Sequence, residues 1–139
     1  MISTVLVPMD DSEMSAQALR YALDSYPEAE VTVLHVVGEP SPLMGEATGL
    51  ALAEDIDEEA EEIAEPIFES AQEIAAETDR TIETVVDLGH PARAILNRAK
   101  NFDTVVIGAH GGSLRDRLLV GNVADRVFKR SPVPVVSVR

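Results

Sequence analysis

The residues best suited to chemistry in this chain lie between Gly108 and Asn122, in the stretch GAHGGSLRDRLLVGN. It follows a short apolar, β-branched run, 104–107, and precedes a helical pattern that begins at Val123. Gly108, Gly111, Gly112 and Gly121 let the backbone turn tightly and approach a ligand closely. The stretch then runs into a helix N-terminus, where unpaired amides and the macrodipole attract anions. Ser113 adds a hydroxyl donor and Arg115 a counter-charge suited to phosphate. Neither Gly-x-x-x-x-Gly-Lys-Ser/Thr nor Gly-x-Gly-x-x-Gly is present, so a nucleotide here is held in another way. On spacing alone, a phosphate cradle and a plain surface loop both remain open.

The 139 residues form one expected domain, 1–139, long enough to bury roughly two-thirds of the unfolded surface. Cysteine is absent, which excludes disulfides, thiolate nucleophiles and Cys-based zinc sites in this chain. Apolar runs such as 31–37 are far below the roughly 18 residues that span a bilayer, and no signal-peptide pattern precedes the first strand. A soluble cytoplasmic protein is expected. The net charge of -14 opposes binding to nucleic acid or to an anionic membrane, so neither is an expected partner.

That charge is unevenly placed. Of the 25 acidic residues, 22 lie in 1–89 against only Arg20 and Arg80, while the other nine bases fall in 90–139. The phosphate-like loop therefore lies in the positive part. Lysine is confined to Lys100 and Lys129, and acids crowd 54–69. This composition suits a halophilic, high-salt cytoplasm, in which repulsion between carboxylates is screened.

The elements that must position these residues follow from hydrophobic period and turn chemistry. Ile2–Pro8 reads as a buried strand, and Asp11 or Ser12 caps a helix with Ala16, Leu19, Ala22, Leu23 and Tyr26 on one face. Val31–Val37 is a second strand. Residues 38–49 form a Pro/Gly-rich loop, the natural place for a flap. A long helix presents Ile56, Ala60, Ile63, Ile67, Ala71 and Ile74, with a kink or break expected just before Pro66. Thr81–Leu88 is a third strand, and Pro91 opens a helix carrying Ala92, Ile95 and Ala99. Strand four is Thr104–Ile107. The last helix carries Val123, Ala124, Val127 and Phe128 and ends at Ser131-Pro132, before a fifth strand, Val133–Val138.

Continuous rather than alternating hydrophobicity marks strands covered on both faces, so the chain predicts an open five-stranded parallel sheet with helices on both sides, a Rossmann-like α/β fold. Two strand orders fit, 3-2-1-4-5 and 2-1-3-4-5, with a ligand where the winding reverses. In the first order that point lies between strands one and four, and Asp10 stands opposite the Gly108–Asn122 loop.

VLVPMDDSE at 5–13, VLHVV at 33–37, GHPA at 89–92, VIGAHGG at 106–112, GNVA at 121–124 and PVPVV at 132–136 together resemble the universal stress protein family over the whole chain. The resemblance implies order 3-2-1-4-5, a stress-linked cytoplasmic role and a homodimer built through 133–138. One branch of that family binds ATP through Gly-x2-Gly-x9-Gly-Ser/Thr. Gly108, Gly111 and Gly121 fall at its glycines, but Asn122 replaces the hydroxyl residue. Asn122 can still cap the helix and donate to phosphate, although its planar side chain is bulkier.

By resemblance, Asp10 holds the ribose hydroxyls, with Pro8 and Met9 beside it, and backbone near Val36 or Val37 meets the adenine edge. His110, Gly112 and Val123 complete the expected nucleotide-binding set around the loop. The expected ligand is ATP, alone or with Mg2+, and the expected role is a dimeric regulatory protein acting on an unidentified protein partner, with at most slow hydrolysis. A nucleotide-independent dimeric interaction module of the same fold is the alternative that Asn122 keeps open. His35, His90 and His110 lack close metal-ligand spacing, and Asp10, His110 and Ser113 lack the nucleophile elbow of a hydrolase, so neither metal nor catalytic residues are assigned.

Overall fold

Five short apolar runs become the strands of one sheet: β1 (Thr4–Pro8), β2 (Glu30–Val37), β3 (Glu83–Leu88), β4 (Thr104–Gly108) and β5 (Val135–Val138). The computed structural model describes residues 1–38, 53–109 and 123–139. Between the strands lie α1 (Glu13–Ser25), α2 (Ala53–Ala76), α3 (Pro91–Ala99) and α4, over residues 123–130. Every strand pair is parallel and the order is β3-β2-β1-β4-β5, the first of the two orders the sequence allows. Residues 39–49 of the expected flap lie outside the described residues.

Helices cover both faces, which is why the central strands are apolar without alternation. Val5, Val7, Val31, Val33 and Val106 pack beneath Leu19 and Ala22 of α1 and Ala71 and Ile74 of α2. Leu6, Leu34, Val105 and Ile107 pack on the opposite face beneath Ile95 and Ala99 of α3 and Ala124 and Val127 of α4. Right-handed crossovers place α1 and α2 on one side and α3 and α4 on the other because the direction of winding reverses after β3.

Several sequence expectations change in the folded chain. Of the kink or break expected before Pro66, the break does not occur, because α2 runs continuously through it. Pro66 and Glu62 are both exposed, so the carbonyl deprived of its donor can turn to water. Ile63, expected inward, is 48% exposed, and Phe128 of α4 is 45% exposed. The buried stripe of α2 runs instead through Ala60, Ala64, Ala71, Ile74 and Ala75, whose mostly small side chains let the helix lie close to the sheet. β1 starts at Thr4 rather than Ile2, and the Ser3 amide just before it donates to the Asp103 carboxylate (2.7 Å). β5 starts at Val135 rather than Val133, whose amide is turned back to the Ser131 hydroxyl (3.1 Å).

Two polar fasteners close the amino edge of the sheet. After α2, Asp79 takes a left-handed conformation (φ 53°), with the Arg80 amide bonded to the Ala75 carbonyl and the Asp79 amide to that of Ala76. This is a Schellman closure. It directs Arg80 to the end of α1, where the guanidinium donates to the carbonyls of Leu23 (2.7 Å), Ala29 (2.8 Å) and Tyr26 (3.3 Å). No base stands in the last turn of α1 itself, so Arg80 supplies the missing positive charge from a distance. On the other side, Asp103 accepts from the amides of Ser3 and Thr4, and these bonds hold its carboxyl below the usual carboxylate range.

Arg80→Met removes charge-assisted bonds to three carbonyls and is expected to lower the unfolding free energy by about 2 kcal/mol in urea denaturation; an unchanged midpoint would show that water replaces the guanidinium at no cost. The Asp103 contribution has a defined sign. Because its folded pKa is depressed, the stabilisation is complete above the ordinary carboxylate pKa of about 3.9 and fades as pH falls through the lower folded value. The stability gap between the wild-type protein and Asp103→Asn should therefore be open at neutral pH and close in strong acid; a gap that persists unchanged at the lowest pH would contradict this account.

Candidate functional site

Where β1 and β4 lie side by side, their carboxyl ends lead to helices on opposite faces and a cleft opens between them. Pro8, Met9 and Asp10 line it from β1, Leu34, His35 and Val36 from β2, and Ile107 and Gly108 from β4. Pro91 and Ile95 of α3 and Val123 of α4 close its other side. The walls are mostly apolar, and the polar groups gather at Asp10, Ser12, Ser15 and His35.

Asp10 is held by a compact network. Its Oδ1 accepts from the Ser12 amide (2.8 Å) and lies 3.1 Å from the Ser15 hydroxyl. The Asp10 amide donates to Ser15 Oγ (3.3 Å), and the single Ser15 hydroxyl proton has the carbonyls of Asp10 (3.1 Å) and Ser12 (3.0 Å) as further acceptors. Ser12 is the N-cap of α1, its side chain accepting from the Ser15 amide (3.2 Å). Among the described residues nothing bonds Asp10 Oδ2, which leaves one carboxylate oxygen to accept from a ligand.

His35 holds the neighbouring residue. Its Nδ1 lies 2.7 Å from the Met9 carbonyl, and the Met9 amide donates to the Leu34 carbonyl (2.8 Å). A carbonyl only accepts, so Nδ1 carries the proton and, in the neutral ring, Nε2 is left with its lone pair. Outside the cleft lining, Arg98 makes two 2.6 Å bonds to Asp87 and fastens α3, which carries Pro91 and Ile95 of the cleft, to β3. The bond to Asp87 raises the Arg98 pKa above its ordinary value. Gly89, with φ 118°, makes the sharp turn into α3, a conformation only glycine adopts without strain.

The structure thus gathers Pro8, Met9, Asp10, Val36, Gly108 and Val123 around one cleft. Val37 lies beyond its lining, and its carbonyl accepts from the Gly89 amide (2.9 Å). His110, Gly111, Gly112, Ser113, Arg115, Gly121 and Asn122 lie outside the described residues. At Gly108 the packing imposes a constraint besides any ligand: a methyl group there would stand 2.8 Å from the carbonyl carbon and oxygen of Met14, so the backbone of α1 occupies that space. Ser15 and His35 were not singled out as site residues by the sequence pattern. Ser15, only 5% exposed, could have been noticed as a hydroxyl on an otherwise apolar helix face, three residues after a capping serine. Among the described residues, no group of three or more His, Asp or Glu is placed to hold a metal ion, and no helix is long and apolar enough to cross a membrane.

Fold and cleft define a doubly wound α/β protein with an open cleft at the topological switch point. Comparison with known proteins agrees with this class and narrows it. The model of the universal stress protein family matches residues 1–139. Universal stress protein YxiE of Bacillus subtilis is 36% identical over 148 aligned positions, covering 100% of both chains. The structure of universal stress protein UspA from Lactobacillus plantarum superposes with a TM-score of 0.75 at 27% identity, covering 99% of this chain and 98% of that one. A universal stress protein in complex with cAMP gives a TM-score of 0.72 at 25% identity, covering 99% and 97%. The chain belongs to the universal stress protein family.

Gly108→Ala is expected to destabilise the protein by about 1–3 kcal/mol, since α1 must move away from β4 to admit the methyl group. Thermal and urea unfolding read the effect, and a neutral substitution would mean that α1 shifts freely.

Proposed function

We propose that this protein is an adenine-nucleotide-binding regulatory protein of the stress response whose ligand is ATP, alone or with Mg2+. The observation that carries the reading is the open Oδ2 of Asp10 at the rim of an apolar cleft. A carboxylate so placed suits the vicinal hydroxyls of a ribose, and the surfaces of Pro8, Leu34, Val36, Ile95 and Val123 suit a purine ring. The cAMP complex of a universal stress protein supports adenine as the base. Backbone at Val36 or Val37 would meet the adenine edge. Phosphates would run along Gly108, His110, Gly111, Gly112, Ser113, Arg115, Gly121 and Asn122, an assignment that rests on the sequence pattern. Mg2+ would neutralise phosphate charge.

The protein so read is a binding protein, with ATP hydrolysis at most slow. Two copies would pair through 133–138, because β5 lies at the sheet edge with its outer backbone groups open to a second strand. Its acid-rich surface suits a high-salt cytoplasm.

Calorimetry with ATP and Mg2+, in moderate and in molar KCl, is expected to show one nucleotide per subunit. Asp10→Ala should weaken binding about ten- to a hundredfold through the loss of hydrogen bonds to a charged acceptor. Asn122→Ser should strengthen binding and Gly111→Val should abolish it. A folded protein without saturable ATP binding would overturn the reading in favour of the nucleotide-independent interaction module.

A further inference from the structure

On the outer surface between α3 and α4 lies a second groove, lined by His90, Arg93, Asn97, Arg126 and Arg130 over a floor of Ala92 and Leu96. Its pattern is helical on both sides. Positions 90, 93 and 97 follow one face of α3 from its N-cap, and Arg126 and Arg130 stand one turn apart on α4. The chain has 25 acids and 11 bases, yet among the described residues no carboxylate lines this groove.

The three arginines differ from those used to hold the fold together. Arg20 pairs with Glu77, Arg98 with Asp87, and Arg80 is spent on main-chain carbonyls. Among the described residues Arg93, Arg126 and Arg130 have no carboxylate at ion-pair distance, and Asp125 of α4 is paired with Lys129 (3.0 Å). Arg126 Nη1 lies 3.3 Å from His90 Nε2. A guanidinium only donates, so His90 accepts there and its neutral ring carries the proton on Nδ1. The groove consequently offers three guanidinium forks, an imidazole N–H and an amide, with little acceptor capacity of its own.

We propose that this groove is a second anion site, separate from the nucleotide cleft, that takes the phosphoryl groups of a small molecule. Planar guanidinium forks match phosphate oxygens in pairs, and Arg93 on α3 facing Arg126 and Arg130 on α4 suits adjacent phosphoryl groups better than a single carboxylate. The net charge of -14 selects against a large polyanion, which would meet the acidic surface beyond the groove. A compact anion remains within about 8 Å of the arginines, the distance over which charge acts at physiological ionic strength. Such phosphoryl groups have two sources: a free polyphosphate-type anion, or the phosphate tail of a nucleotide.

Amide NMR titrations with pyrophosphate and, separately, with ATP at low salt test the proposal. The expected result is saturable shifts at residues 90–97 and 126–130, with affinity at least about tenfold lower in the double variant Arg93→Gln, Arg126→Gln. Both side chains are exposed, and an unchanged melting temperature confirms that the variant is folded. Pyrophosphate binding that survives Asp10→Ala identifies a free anion as the source and separates this site from the cleft. Groove shifts with ATP that survive Asp10→Ala identify the nucleotide tail as a source, whereas shifts with ATP alone that Asp10→Ala abolishes would make the groove an extension of the cleft and overturn a separate site. No shift in the groove with either ligand, or shifts that the double variant leaves intact, would overturn the proposal, whether or not ATP binds the cleft.

Discussion

The close seating of α1 on the end of β4 is the contact on which the site depends. The backbone of Met14 fills the space that a side chain at position 108 would need. With glycine there, α1 starts directly beside β4, and Asp10 and its serine network stand at the cleft that β4 borders. A helix held farther away would leave Asp10 without a fixed relation to Gly108. The glycine that a motif reader assigns to a phosphate therefore has a prior obligation to helix packing.

The two edges of the sheet have different work. At the amino edge, Arg80 and Asp103 tie chain ends that are remote in sequence, closing α1 and joining the start of β1 to that of β4. At the carboxyl edge, the polar contacts orient groups around a cleft: Ser12 and Ser15 hold Asp10, His35 holds Met9, and Arg98 holds α3 to β3. Charge divides along another line. The acidic exposed side of α2 covers one face of the sheet, whereas the basic groove lies over the other, between α3 and α4. Right-handed crossovers with a single reversal of winding convert an asymmetry along the chain into an asymmetry in space.

The sequence was legible where short-range pattern decides the outcome. Unbroken apolar runs marked all five strands, capping and turn residues marked the helix starts, and both helix layers followed from the crossover rule. It was less legible where one element turns against another. Ile63 and Phe128 fit helical stripes on paper, but the rotation of each helix on the sheet leaves them exposed. Pro66 leaves the Glu62 carbonyl without its donor, and whether that carbonyl reaches water is a tertiary property.

By itself, the sequence determined the class of fold, the separation of acidic and basic parts, and Asp10 with the 108–122 loop as the residues to examine. Of the two strand orders that period and turns allow, the family resemblance selects 3-2-1-4-5, and the tertiary structure bears this out by placing β1 against β4. Only the tertiary structure decided that Ser15 and His35 would serve the cleft, that Arg80 would reach the end of α1, and that Arg93 would face Arg126 across a groove. The reason is one of range: hydrophobic period and capping act over a few residues, whereas these contacts join side chains whose meeting depends on how strands order and how helices rotate upon them.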